Sequence, residues 1–170
     1  MHVKTLSRRT AVGAVSMAVA LAGIVGTSSP ASAHTATISQ SQAEGILRNG
    51  NVTWSSSGNC TYRYNSTCTS FEQIRHSTVE GAVALRQSGC AVNITGGTEV
   101  GHASGTYSHY NGWKIDINKY TCITNYIHGF SYIGLRGDGA PMYKSASGNI
   151  YADEGSHWDI TFYSCGCSFD

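Results

Sequence analysis

Two short stretches hold residue types and spacings suited to metal-assisted hydrolysis. In SHYNGWKIDI, residues 108–117, His109 stands seven positions before Asp116 with Gly112 between them. In EGSHW, residues 154–158, Glu154 stands three positions before His157. Imidazole nitrogen and carboxylate oxygen both bind zinc at about 2 Å, and three protein ligands with one position open to water make a catalytic rather than a structural site. His109, Asp116 and His157 supply such a triplet. Glu154 supplies a carboxylate able to accept a proton from a zinc-bound water and later give it to a leaving amine. Alone, His109 and Asp116 read as a buried histidine–aspartate hydrogen bond; the EGSHW partner turns the balance to metal.

The elements that must position these groups follow from periodicity. Alternation in WKIDI, 113–117, predicts a strand with Trp113, Ile115 and Ile117 on a packed face and Lys114 and Asp116 facing a cleft. The bend YNG before it can bring His109 back beside Asp116. SQSQAEGILRNG, 39–50, predicts a short helix capped by Ser41 and closed by Gly50. Thr69 with Glu72 matches a capping box, and Phe71, Ile74, Ala82 and Leu85 form a helical stripe running to Ser88-Gly89. CAVNIT, 90–95, predicts a strand, GGTEVGHASGT a long loop, and NKYTCITNYIHGF a helix. SASGN predicts a hairpin turn between MYK and IYAD, and HWDITFY a last strand. The order is α+β: a small antiparallel sheet with flanking helices.

Residues 1–33 read as an export signal: a basic start, an apolar run and a small-residue ASA cleavage site before His34. The remaining chain, 34–170, suits one domain and is expected to be secreted and extracellular, with no membrane span. The signal carries three of the 11 Lys and Arg and none of the 10 acids, so the exported part is slightly acidic, which argues against nucleic acid or an anionic membrane as partner. All six cysteines lie in the exported part, where disulfides are the expected state. Cys60 with Cys68 is the favoured pair, and Cys165 with Cys167 is expected not to pair because the two stand so close. RGD at 136–138 is a short match of the kind chance supplies, in a Gly-rich loop. A monomer is expected.

Together, S-H-x-x-G-x-x-x-D at 108–116 and E-x-x-H-W at 154–158 resemble the paired signature of zinc D-Ala-D-Ala carboxypeptidases and L-alanyl-D-glutamate endopeptidases, whose fold group includes the Hedgehog signalling domain. The resemblance spans about residues 69–162. It implies a Hedgehog-like α+β zinc metallopeptidase that hydrolyses peptide bonds in peptidoglycan stem peptides or crosslinks. His109, Asp116 and His157 would then bind zinc, and Glu154 would be the general base. The family arginine expected in a T-S-G-Y-R stretch is missing: this chain has Thr95-Gly96-Gly97-Thr98. Lys114 and His102 are the candidates to steady the substrate carbonyl in its place, and Tyr107 to touch substrate. The alternatives are a zinc peptidase of ordinary proteins or peptides, and a zinc-stabilised cell-wall binding module without turnover.

Overall fold

The computed structural model describes residues 36–167; the export signal predicted over 1–33 lies outside the described residues. Nine strands and three helices alternate among them, in the order β1 (Thr37–Ile38), α1 (Gln40–Asn49), β2 (Thr53–Trp54), β3 (Ile74–Arg75), α2 (His76–Arg86), β4 (Asn93–Gly96), β5 (Lys114–Asn118), α3 (Thr121–His128), β6 (Ser131–Leu135), β7 (Pro141–Lys144), β8 (Ile150–Asp153) and β9 (His157–Thr161). The class is α+β, as expected. The sheet is larger than expected and mixed: seven strands in the order β2-β4-β5-β9-β8-β7-β6, with β2 parallel to β4 and every other neighbour antiparallel. β6 carried no alternation signal, because Gly134, at φ 104°, sits where its register with β7 shifts and four of its five residues are exposed.

Pairing between β5 and β9 sets the two faces of the sheet. Asp116 lies opposite Asp159, Lys114 opposite Thr161 and Asn118 opposite His157, so these six share one face. Ile115, Ile117, Trp158 and Ile160 take the other face, and each is fully buried. The helices close that apolar side, with Ala43 and Leu47 from α1, Val79, Ala82 and Leu85 from α2, and Ile123 and Ile127 from α3 in the same cluster. Each large aliphatic side chain so buried contributes roughly 2 kcal/mol. The Trp158 indole N–H, which would otherwise be unpaired in this core, donates to Thr124 Oγ1 at 3.1 Å.

Two helix starts differ from expectation. α1 is capped by Ser39 rather than Ser41: the Ser39 hydroxyl accepts from the Gln42 amide, and the Gln42 side chain returns a bond to the Ser39 N–H. α2 begins at His76, because Gln73 holds a φ of 60° and no helix can run through it. The Thr69 hydroxyl donates instead to the Ser55 and Thr95 carbonyls, and the Glu72 carboxylate accepts from the Gln40 amide. Three cysteine pairs lie at disulfide distance, Cys60–Cys68, Cys90–Cys122 and Cys165–Cys167. The last overturns the expectation. Gly166, at φ 62°, reverses the chain and leaves the two Cα atoms 5.1 Å apart.

One glycine holds the turn before β5 in place. Gly112 has φ 75°, its carbonyl accepts from the Thr78 hydroxyl and the Arg75 amide, and a Cβ there would lie 2.7 Å from the Gln73 carbonyl oxygen. Gly112→Ala combines left-handed strain with a backbone clash and should destabilise by about 3 kcal/mol or more. Urea unfolding will show this as a lowered midpoint at unchanged m.

Candidate metal centre

β5, β9 and the loops that precede them bring the sequence-predicted residues to one cavity of about 520 Å³, which His102, Tyr107, His109, Lys114, Asp116, Glu154 and His157 all line. Asp116 is at its centre. Gly96 lies opposite it on β4, and the missing side chain makes room for the carboxylate: a Cβ at Gly96 would stand 2.5 Å from Asp116 Oδ2. Gly96→Ala should therefore displace Asp116 and weaken the binding of a metal held there on the order of 10- to 100-fold, read by competition with a chromophoric chelator.

His109 arrives through the turn Ser108–Trp113, in which the Gly112 amide donates to the His109 carbonyl at 2.8 Å and the Trp113 amide to the Ser108 carbonyl at 3.1 Å. Its Nδ1 donates to the Gly97 carbonyl at 2.8 Å, which orients the ring and turns Nε2 toward Asp116 Oδ1 at 3.3 Å. His157 comes from the start of β9, after a turn that Gly155 enters at φ 80°. Its Nε2 lies 3.6 Å from Asp116 Oδ1 and 3.1 Å from Glu154 Oε2. Asp116 Oδ1 is buried and accepts no hydrogen bond among the described residues, although two histidine nitrogens approach it. A buried carboxylate oxygen left in this way is costly. A protonated His109, whose Nε2 stands at ion-pair distance, or a cation held between the oxygen and the two nitrogens offsets that cost, and the donor types fit zinc.

Among the described residues, the ligand atoms at this cavity that all lie within 4.8 Å of one another are those of His102, His109 and Asp116; the set with His157 in place of His102 is not so tightly grouped. His102 is nevertheless a poor partner to His109 on one ion. Their rings stack at 3.8 Å with planes 16° apart. A metal lies in the plane of each imidazole that binds it, and two nearly parallel, stacked planes do not meet at a point about 2 Å from both nitrogens. His102 is therefore a wall of the site, while His157 approaches Asp116 from β9.

Residues that the sequence reading passed over surround this centre. Asp159, directly across from Asp116, would repel it. Lys114 Nζ at 2.6 Å and Arg136 at 2.7 Å both bind Asp159 Oδ2, so Lys114 balances Asp159. Arg136 comes from the RGD stretch in the β6–β7 turn and also pairs with Asp138 at 2.6 Å and with Glu154 Oε1. Burial would raise the Asp159 carboxyl, but His109 and Lys114 hold it well below the usual carboxylate range. Burial would likewise drive the His109 imidazole to its neutral form; Asp116 and Asp159 reverse this and raise it to about 10, so a metal must displace a proton there.

Asp159 was within reach of the period-two pattern, being two positions after His157 on the same face, whereas nothing in RGD pointed to the cavity. Thr98, in the stretch where the arginine of the resembled signature is missing, is fully buried and turned inward, its hydroxyl donating to the Glu72 carbonyl at 2.7 Å. Tyr107 stands at the rim, half-exposed, edge-on to Trp113 and Tyr163. No protein-family model, curated protein or solved structure matches the chain.

Proposed function

We propose that the protein is a secreted zinc metallopeptidase of the D-Ala-D-Ala carboxypeptidase and L-alanyl-D-glutamate endopeptidase type, with a Hedgehog-like fold, acting on peptidoglycan stem peptides or their crosslinks. The observation that carries this reading is the buried Asp116 Oδ1, which accepts no hydrogen bond among the described residues and has His109 Nε2 and His157 Nε2 at ion-pair distance, with Glu154 beside His157. His109, Asp116 and His157 would hold the zinc. Bound there, zinc supplies Lewis acidity, polarising the scissile carbonyl and lowering the pKa of water at the open position.

The chain's own groups do the rest. The Gly97 carbonyl holds the His109 ring so that Nε2 faces inward. Glu154 Oε2 faces the centre, takes the proton of the attacking water and passes it to the leaving amine. Arg136, on Glu154 Oε1, keeps that carboxylate from swinging away, and its own place is fixed by Asp138 and Asp159. Export is supported by the six cysteines in three pairs, and no helix among the described residues is long and apolar enough to cross a membrane.

Digestion of purified peptidoglycan beside casein tests the proposal. New amino groups from peptidoglycan, abolished by a chelator and restored by zinc, support it. Release from casein alone assigns ordinary protein as substrate, and tight adsorption to cell wall without release assigns a binding module.

A further inference from the structure

Beside the metal cavity lies a second one of about 390 Å³, lined by Arg63, Gln73, Arg75, Tyr110 and Trp113 among others, and Tyr107 stands in the wall of both. No acidic side chain lines it among the described residues. Arg63 reaches it from the loop that Cys60–Cys68 closes and is only 5% exposed. Its guanidinium donates to three neutral oxygens: Nε to the Thr98 carbonyl at 3.2 Å, Nη1 to Gln73 Oε1 and Nη2 to the Tyr110 carbonyl. The Tyr110 ring covers one face, its centroid 4.0 Å from the guanidinium carbon.

A buried cation ordinarily faces an anion, because neutral acceptors replace only part of the hydration it has lost. Arg63 has no carboxylate within ion-pair distance among the described residues. Glu99, one residue beyond Thr98, turns its carboxylate to the Ser70 and Gly97 amides and to His102. At the metal cavity Lys114 is held by Asp159, and Arg136 by Asp138, Glu154 and Asp159. Three hydrogen bonds leave two of the five guanidinium N–H groups of Arg63 for a further acceptor. A carboxylate matches a guanidinium in both charge and planar geometry. Nη2 bonds the carbonyl of the residue that follows His109, which keeps the guanidinium within roughly four residues' length of extended peptide from the metal centre.

We propose that the second cavity is a carboxylate subsite, in which Arg63 receives an acidic group of a peptide that runs past Tyr107 into the metal cavity. That this peptide is the substrate rests on the peptidase reading; the unbalanced charge that attracts it does not. A peptidoglycan stem peptide offers the same group from two sources, the free α-carboxylate of its D-glutamate and its C-terminal carboxylate.

The probe is the stem tetrapeptide L-Ala-γ-D-Glu-L-Lys-D-Ala, compared with two forms in which one or the other carboxylate is an amide. Binding is measured by calorimetry and turnover by release of amino groups. Amidation of one carboxylate should weaken binding to the parent on the order of 10- to 100-fold and amidation of the other by less than about threefold, which identifies the source. Arg63→Gln should bind all three forms within about threefold of one another. Thr106→Glu, at an exposed position lining the same cavity, adds a resident carboxylate and should level the three forms in the same way. A parent that binds the three forms equally, or binds none, overturns the inference. Discrimination that survives both substitutions also overturns it, because the carboxylate is then read elsewhere. Turnover of all three forms at equal KM leaves the peptidase reading standing without this subsite. Selective binding without release of amino groups leaves the subsite standing and overturns the peptidase reading. If Arg63→Gln does not fold, Thr106→Glu still decides.

Discussion

His157→Ala is expected to lose both zinc and turnover while keeping the fold. The side chain sits at the start of β9, about a quarter exposed, and contributes nothing to the apolar face that Trp158 and Ile160 cover. Zinc bound by several ligands is held by roughly 10–16 kcal/mol, so one of three ligands accounts for about 4 kcal/mol, or on the order of 1,000-fold in affinity. Metal analysis of the variant after dialysis should find less than a tenth of the parent's zinc. Release of amino groups from peptidoglycan should fall to background, and circular dichroism should be unchanged. Retention of full zinc would show that Asp116 and His109 use another third ligand, His102 being the nearest.

Glu154→Gln should separate chemistry from metal binding. Gln keeps the shape of Glu154 and a hydrogen bond to Arg136, which retains Asp138 and Asp159 as partners. Zinc content should therefore match the parent. The amide cannot take a proton from water, and loss of a placed general base costs typically 10²- to 10⁴-fold, so kcat should fall within that range with KM little changed. A kcat within threefold of the parent would mean that another carboxylate moves the proton. Asp159, whose Oδ1 is buried and unbonded among the described residues, would be the next to substitute.

What could be read from sequence tracks how local each signal is. The faces of WKIDI followed from alternation alone, since a strand buried on one side must repeat every two residues, and Ile115 and Ile117 are fully buried while Asp116 faces the cavity. The return of His109 to Asp116 was legible because Asn111-Gly112 demands a tight turn there. The start of α2 was not. Thr69 and Glu72 satisfy a capping pattern, but the hydroxyl and carboxylate serve contacts to residues more than ten positions away, and the left-handed Gln73 between them is invisible to a helical stripe.

Long-range electrostatics were equally out of reach. Asp116 faces Asp159 across strands 43 positions apart in sequence, and the two cations that make this tolerable come from β5 and from the RGD turn. Glu99 looked like one more polar residue in a Gly-rich loop until Ser70, Gly97 and His102 were seen to converge on it. The pairing of Cys165 with Cys167 depends on a positive φ at Gly166 that spacing alone does not reveal.

The first quantity to measure is zinc per chain in purified protein spanning residues 34–170, by plasma mass spectrometry after zinc is supplied and excess removed. One zinc per chain is the expected value, because the His109 and His157 nitrogens both approach one buried oxygen of Asp116. No retained zinc, at a protein concentration where a site of micromolar affinity would be filled, would contradict the metal centre and every step built on it.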